Sequence, residues 1–176
     1  MRLMSENLAG AGPASPRRLE IWLPIAVVVL DQVTKALVRA LVPLSSSLEV
    51  IPRFVNVTHV RNTGAAFGFL NAADFPFKTV AIAVVALAAI VWVGVYAASL
   101  PRQHWVARLG LALIMGGAAG NLIDRVIVGS VVDFVDVYWG SYHFWAFNVA
   151  DSAISVGVAI MILDMLGVRA HASNTV

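Results

Sequence analysis

The sequence predicts an all-α membrane protein, a four-transmembrane-helix bundle with a small β element in the first outer loop and an interfacial segment in the second. Three observations carry that prediction. Of the 176 residues, 60% are apolar and 12% are charged, against about 25% charged in soluble domains. The mean hydropathy is +0.83. Four apolar stretches are each long enough, at about 1.5 Å per residue, to cross a hydrocarbon core about 30 Å thick.

Residues Met1 to Pro16 are rich in Gly, Ala, Ser and Pro with no helical period, which reads as a disordered cytoplasmic leader. Arg17, Arg18 and the apolar run Ile21 to Leu30 imitate a signal peptide. Asp31 and Lys35 continue the same helical phase, however, and no small-x-small cleavage site follows, so the stretch is expected to be an uncleaved first helix over residues 19–42. Pro43 and Pro52 bracket a polar segment, and Phe54 to Val60 then alternates with β-branched residues, the mark of a short strand. The second helix is expected over 79–100, about 22 residues without a charge. Pro101 and Arg102 end it, and a short connection leads to a third helix over 105–123. The fourth is expected over 144–166. One membrane domain thus spans residues 19–168, with residues 1–18 as leader and 169–176 as a cytoplasmic tail.

Four spans place both termini on one side. Arg17, Arg18, Arg102, Arg108 and Arg169 fall on that side, which the positive-inside rule makes cytoplasmic. The loops over 43–77 and 124–143 then face outward and carry Glu49, Asp74, Asp124, Asp133 and Asp136. Val131, Val132, Phe134, Val135, Val137, Tyr138 and Trp139 are too apolar for a free loop, so that segment is expected to lie at the membrane interface.

Composition also excludes classes of function. A formal charge of +2 gives no case for nucleic acid. With no cysteine there is no disulfide, no thiolate nucleophile and no thiolate metal site. His59, His104, His143 and His171 lack ligand spacing. No metal and no cofactor are implied.

Two aspartates stand out because a carboxylate at membrane depth costs several kcal/mol unless it is paired or faces a protein interior. Asp151 lies seven residues into the run that begins at Phe144, about 10 Å below that boundary if the helix starts there. Asn148, Ser152 and Ser155 share its face. Asp133 sits in the apolar second outer segment. Two carboxylates that approach one another share a proton, which leaves one as acid and one as base and activates water without a metal. The plainer alternative is that Asp133 solvates a loop and Asp151 pairs with Arg125. Asn121 and Arg125, four apart, either line a site with an amide and a cation or snorkel at the interface. Gly116 and Gly120 let another helix approach closely. Asp31 and Lys35 at i and i+4 neutralise one another or support the site. In Arg61-Asn62-Thr63-Gly64-Ala65-Ala66-Phe67-Gly68, Asn62 and Gly64 alone are a weak turn signal.

Taken in order, five blocks resemble the bacterial lipoprotein signal peptidases, the signal peptidase II family of membrane aspartyl proteases. They are Asp31-Gln32-Val33-Thr34-Lys35, the Arg61 to Phe67 block, Gly120-Asn121-Leu122-Ile123-Asp124-Arg125, Val131-Val132-Asp133-Phe134 and Phe147-Asn148-Val149-Ala150-Asp151-Ser152. The resemblance covers residues 21–167. It implies that Asp133 and Asp151 are the catalytic dyad and that Asn62, Gly64, Asn121, Arg125 and Asn148 line the site. It implies architectural roles for Asp31, Lys35 and Phe67. It implies a substrate as well: a prolipoprotein carrying a diacylglyceryl-modified cysteine, cut just before that cysteine at the outer face of the bacterial inner membrane. Membrane lipids and a monomeric enzyme fit this picture, with the second outer segment as a lid. The rival reading, from the intramembrane acids alone, is a small proton-coupled transporter.

Overall fold

The computed structural model describes residues 18–64 and 76–173, the latter without the side chains beyond 167. Among the described residues four helices are long and apolar enough to cross a membrane. They are α1 (Arg18–Leu41), α2 (Lys78–Ser99), α3 (Trp105–Ile127) and α4 (Val149–Ser173). Between them lie β1 (Ser47–Ile51), β2 (Val55–Asn62), β3 (Val131–Trp139) and β4 (Tyr142–His143). Residues 1–17 of the expected leader over 1–18, Asp74 and Phe67 lie outside the described residues, and Arg18 already belongs to α1.

Packing follows the placement of small residues. A Cβ added to Gly116 would stand 2.9 Å from the backbone of Pro24, and one added to Gly120 would stand 2.6 Å from Asp31 Oδ2, so α1 lies directly on this face of α3. The expected close approach at Gly116 and Gly120 is therefore made by α1. On another face Gly110 and Gly157 meet backbone to backbone, bringing α4 against α3. With only lipid outside, such close contact and the hydrogen bonds it permits hold helices together. α2, with mean side-chain apolarity all along its length, has no buried residue and attaches to α3 from the side.

The sheet is antiparallel in the order β1-β2-β3-β4. Its core is Val132 and Phe134 of β3 packed against Val38 and Val42 at the end of α1, with Val57, Val135 and Val149 around them. This gives the apolar second outer segment its structure. It is a strand, paired to β2 through Val60↔Asp133 and Asn62↔Val131, and Val131, Val132 and Phe134 are buried against protein while Val135 and Val137 are half-buried. A segment so paired and packed is not a free lid, and the expectation of a moving cover is corrected on that ground. The pairing register slips between Val57 and Val60. There His59 is buried with Nδ1 2.8 Å from the Val42 carbonyl, fastening the bulge to α1.

A second correction concerns α4, expected from Phe144. Phe144 and Phe147 instead run extended along β3: the Phe144 N–H donates to Val137 and that of Phe147 to Val135. Hydropathy alone does not separate an apolar strand edge from the first turn of a helix. The helix begins at Val149, so Asp151 is its third residue, about 3 Å from the helix start, and not the eighth as a start at Phe144 implies.

Candidate active site

The start of α4 is closed by two residues that cap one another. Asn148 Oδ1 accepts the Asp151 N–H at 2.9 Å, and Asp151 Oδ2 accepts the Asn148 N–H at 3.1 Å. This reciprocal arrangement satisfies one of the four N–H groups that a helix N-terminus leaves open and, with it, the N–H of the capping residue. Another open N–H, that of Ala150, donates across to Asp31 Oδ1 at 3.0 Å. The helix end is thus capped partly from α1, and Asp151 is fixed by its place in the cap.

Asn148 also joins the two aspartates. Its Nδ2 donates to Asp133 Oδ1 at 2.7 Å while its backbone holds Asp151. Asp133 accepts a second hydrogen bond from Asn62 Nδ2 at 3.1 Å, and Asp151 Oδ1 accepts from Asn121 Nδ2 at 2.8 Å. Asp133 is 4% exposed. Burial, and after it the neighbouring charge of Asp151, raises its pKa from 3.8 to about 6, against the opposing effects of Asn62, Asn148 and Lys35. A carboxyl group held near neutrality beside a second carboxyl group can give or take a proton under ordinary conditions.

Behind the pair lies a buried ion network. Lys35 Nζ stands 2.8 Å from each of Asp31 Oδ2, Asp124 Oδ2 and Asn121 Oδ1. Arg39 reaches Asp124 Oδ1 at 2.6 Å. Gln32 Nε2 donates to the Gly120 carbonyl at 3.1 Å, which ties α1 to α3 beside the network. Among the described residues no group of three or more His, Cys, Asp or Glu side chains is arranged for a metal ion. Between Asp31 and Asp124 the cation is the Lys35 ammonium. Arg125 donates to the Gly64 carbonyl at 2.9 Å and to the Asn121 carbonyl at 3.2 Å. Gly64 N–H in turn donates to Asn62 Oδ1 at 2.9 Å, so Arg125 braces the turn that aims Asn62 at Asp133.

The structure therefore gathers Asp31, Lys35, Asn62, Gly64, Asn121, Arg125, Asp133, Asn148 and Asp151 into one connected set. It does not gather Ser152 and Ser155, which are exposed; Ser152 Oγ donates back to the Asn148 carbonyl at 2.9 Å. Asp31 and Lys35 do more than neutralise one another, because both reach other helices. Sequence reasoning missed Asp124 and Arg39 as members of the set. A signal existed: Arg39 continues the Asp31, Lys35 spacing by four, and Asp124 follows Asn121 by three, so both extend faces already marked.

The profile of the family described as Signal peptidase (SPase) II matches residues 23–167. A lipoprotein signal peptidase of Geobacter metallireducens is 49% identical over 140 residues, covering 78% of this chain and 84% of that protein. A lipoprotein signal peptidase of Symbiobacterium thermophilum is 45% identical over 148 residues, covering 84% and 94%. A solved structure described as a bacterial membrane enzyme, obtained by the in meso method at 2.3 Å resolution, superposes with a TM-score of 0.78 at 33% identity, over 89% of this chain and 91% of that one.

Proposed function

The chain belongs to the signal peptidase II family, and from that premise we propose that it is a membrane aspartyl endopeptidase with Asp133 and Asp151 as its reacting pair. It removes the signal peptide of diacylglyceryl-modified prolipoproteins by cutting just before the lipidated cysteine. The observation that carries the assignment of residues is the Asn148 bridge: one side chain and its backbone bind both carboxyl groups, from a strand and from a helix N-terminus.

The chemistry follows from two carboxyl groups holding one proton between them. The ionised member takes a proton from water as the water oxygen bonds to the scissile carbonyl carbon. The protonated member gives its proton to the carbonyl oxygen. In the second half the proton taken from water passes to the leaving nitrogen, the carbon–nitrogen bond breaks, and the remaining hydroxyl returns its proton to the pair. Asn62, Asn121 and Asn148 hold the carboxyl oxygens in place through these exchanges, and Arg125 braces the Asn62 turn. Pre-set donors of this kind lower the reorganisation that the reaction requires.

The site lies where the end of α3 and the start of α4 meet the sheet. The basic residues Arg18 and Arg102 lie at the other end of the bundle, together with the start of α1. Positive charge favours the cytoplasmic side, so both termini are cytoplasmic and the site faces outward. A lipid-anchored peptide has its scissile bond held near that interface, and the membrane lipids deliver it by lateral diffusion to a monomeric enzyme. The test is release of the signal peptide from a lipidated prolipoprotein by purified protein in lipid, followed by mass spectrometry. Asp133→Asn and Asp151→Asn should each abolish release while still inserting in the membrane. Turnover retained in either variant overturns the assignment of the pair.

A further inference from the structure

Lys35 is fully buried and makes no contact with Asp133 or Asp151 closer than the amide of Asn121 that lies between. That amide has two unlike ends. Its Oδ1 accepts from Lys35 Nζ at 2.8 Å and from Asn148 Nδ2 at 3.2 Å, while its Nδ2 donates to Asp151 Oδ1 at 2.8 Å. An ammonium group donates and never accepts. Turned over, the amide would press its NH2 against Lys35 and its oxygen against the Asp151 carboxyl group, and both contacts would be repulsive. Lys35 has no freedom to avoid that choice, because its other polar contacts at 2.8 Å are Asp31 and Asp124. Those two are held in turn, Asp31 by the Ala150 N–H and Asp124 by Arg39.

We infer that Lys35 is a positioning residue for the cleavage reaction, fixing the Asn121 amide in the one orientation that donates to Asp151. The inference rests on the reading of Asp133 and Asp151 as the reacting pair. The charged groups that bear on Asp151 are Asp31 and Lys35 from α1, Arg125 from α3 and Asp133 from β3, while Asp124 of α3 acts on Lys35 and Arg125. Removing Lys35 takes away a cation and the nearer of the two donors that orient Asn121, leaving only the longer bond from Asn148, so the ionised form of the pair is less favoured and the acidic limb of the activity profile moves to higher pH.

The experiment compares kcat, KM and the pH profile of Lys35→Met and Lys35→Gln in lipid with those of the parent. Loss of one hydrogen bond to a charged group corresponds to a fall of about 10- to 100-fold, so Lys35→Met should lower kcat by that factor, leave KM within about twofold and displace the acidic limb upward. Lys35→Gln keeps an N–H donor without the charge. It should return kcat to within about fivefold of the parent while the limb stays displaced. A Lys35→Met enzyme with parent-like kcat and an unmoved limb overturns the inference, as does Lys35→Gln falling as far as Lys35→Met. If Lys35→Met does not insert, Lys35→Gln decides alone: a displaced limb supports the inference and a parent-like limb overturns it. Asp151→Asn is measured alongside. Cleavage by that variant removes the reading of the reacting pair, a failure distinct from an unmoved limb in the Lys35 variants.

Discussion

The buried Asp133 carboxyl group should weaken the fold as pH rises from about 4 to 6, and Asp133→Asn exposes how much. Its pKa of about 6 in the folded protein stands above the 3.8 of the free side chain. A carboxyl group whose folded value is raised favours the native state below the unfolded value and loses that contribution as pH climbs through the folded one. The window is therefore about pH 4 to 6. The gap from 3.8 to about 6, at about 1.4 kcal/mol per pH unit, makes the ionised group a burden of about 3 kcal/mol at pH 7.5. Asparagine removes that burden but turns an NH2 toward either Asn62 or Asn148, both of which donate to Asp133, at a cost of about 1–2 kcal/mol. The variant should be more stable than the parent by about 1–2 kcal/mol at pH 7.5, a rise of about 2–8 °C in thermal midpoint for a chain of this size. At pH 4.5, where the parent keeps its proton, the variant should be equal or less stable. Thermal unfolding in detergent, followed by intrinsic tryptophan fluorescence at the two pH values, measures the difference. A midpoint difference that is the same at both pH values, or a parent more stable at pH 7.5, refutes the reasoning.

Four further outcomes follow from named positions. Gly120→Ala places a Cβ 2.6 Å from Asp31 Oδ2, and the displaced carboxylate should cost about 1–3 kcal/mol of stability together with most of the cleavage activity. Gly167→Ala, with nothing within 4 Å of the added carbon, should change neither. Arg125→Ala releases the Gly64 carbonyl, and loss of this hydrogen bond to a charged group should lower kcat/KM by about 10- to 100-fold, measured by steady-state cleavage. Glu20→Leu strips Arg108 of the partner that accepts from both Nε and Nη2, about 22 Å along α1 from Lys35. Because Arg108 keeps the Ala97 and Leu100 carbonyls, it should cost about 1–3 kcal/mol in thermal unfolding while activity per folded molecule is unchanged.

The four spans were legible because a membrane helix is specified by length and apolarity, and for α1, α2 and the start of α3 the expected bounds lie within one residue of those found. The strand over residues 55–62 was legible from its alternation. What failed was the join between β3 and α4. From Phe144 onward the chain reads as one apolar run, and only the capping of Asp151 by Asn148 separates strand edge from helix. That pattern is present in the sequence as residues three apart, a spacing that a shared helical face and a helix start display alike. The pairing of β3 with β2 was illegible for another reason. Register depends on which apolar side chains meet across segments far apart in the chain, and Val132 and Phe134 find Val38 and Val42 only once the helices have packed. The site residues were visible as polar anomalies in apolar surroundings, whereas the link between Asn148 and Asp133 is a tertiary contact with no local signature.

The ion network behind the site is poorly explained by stability alone. Asp31 and Lys35 are fully buried and Asp124 is 1% exposed. Taking such charges out of water costs several kcal/mol per ion before pairing repays it, and well-packed apolar replacements are often neutral or stabilising. An apolar substitute here would fail for a different reason. The Ala150 N–H at the start of α4 would lose Asp31, the acceptor that lies across from it, and Asn121 Oδ1 would lose the ammonium that sets its direction. The first loss unsettles the helix turn that carries Asp151, and the second unsettles the amide that donates to it. Both consequences converge on one carboxyl group. The network is thus the cost of holding Asp151 by backbone and side chain at once in a place where water, the usual supplier of such hydrogen bonds, is partly excluded by the packing of α1, α3 and α4.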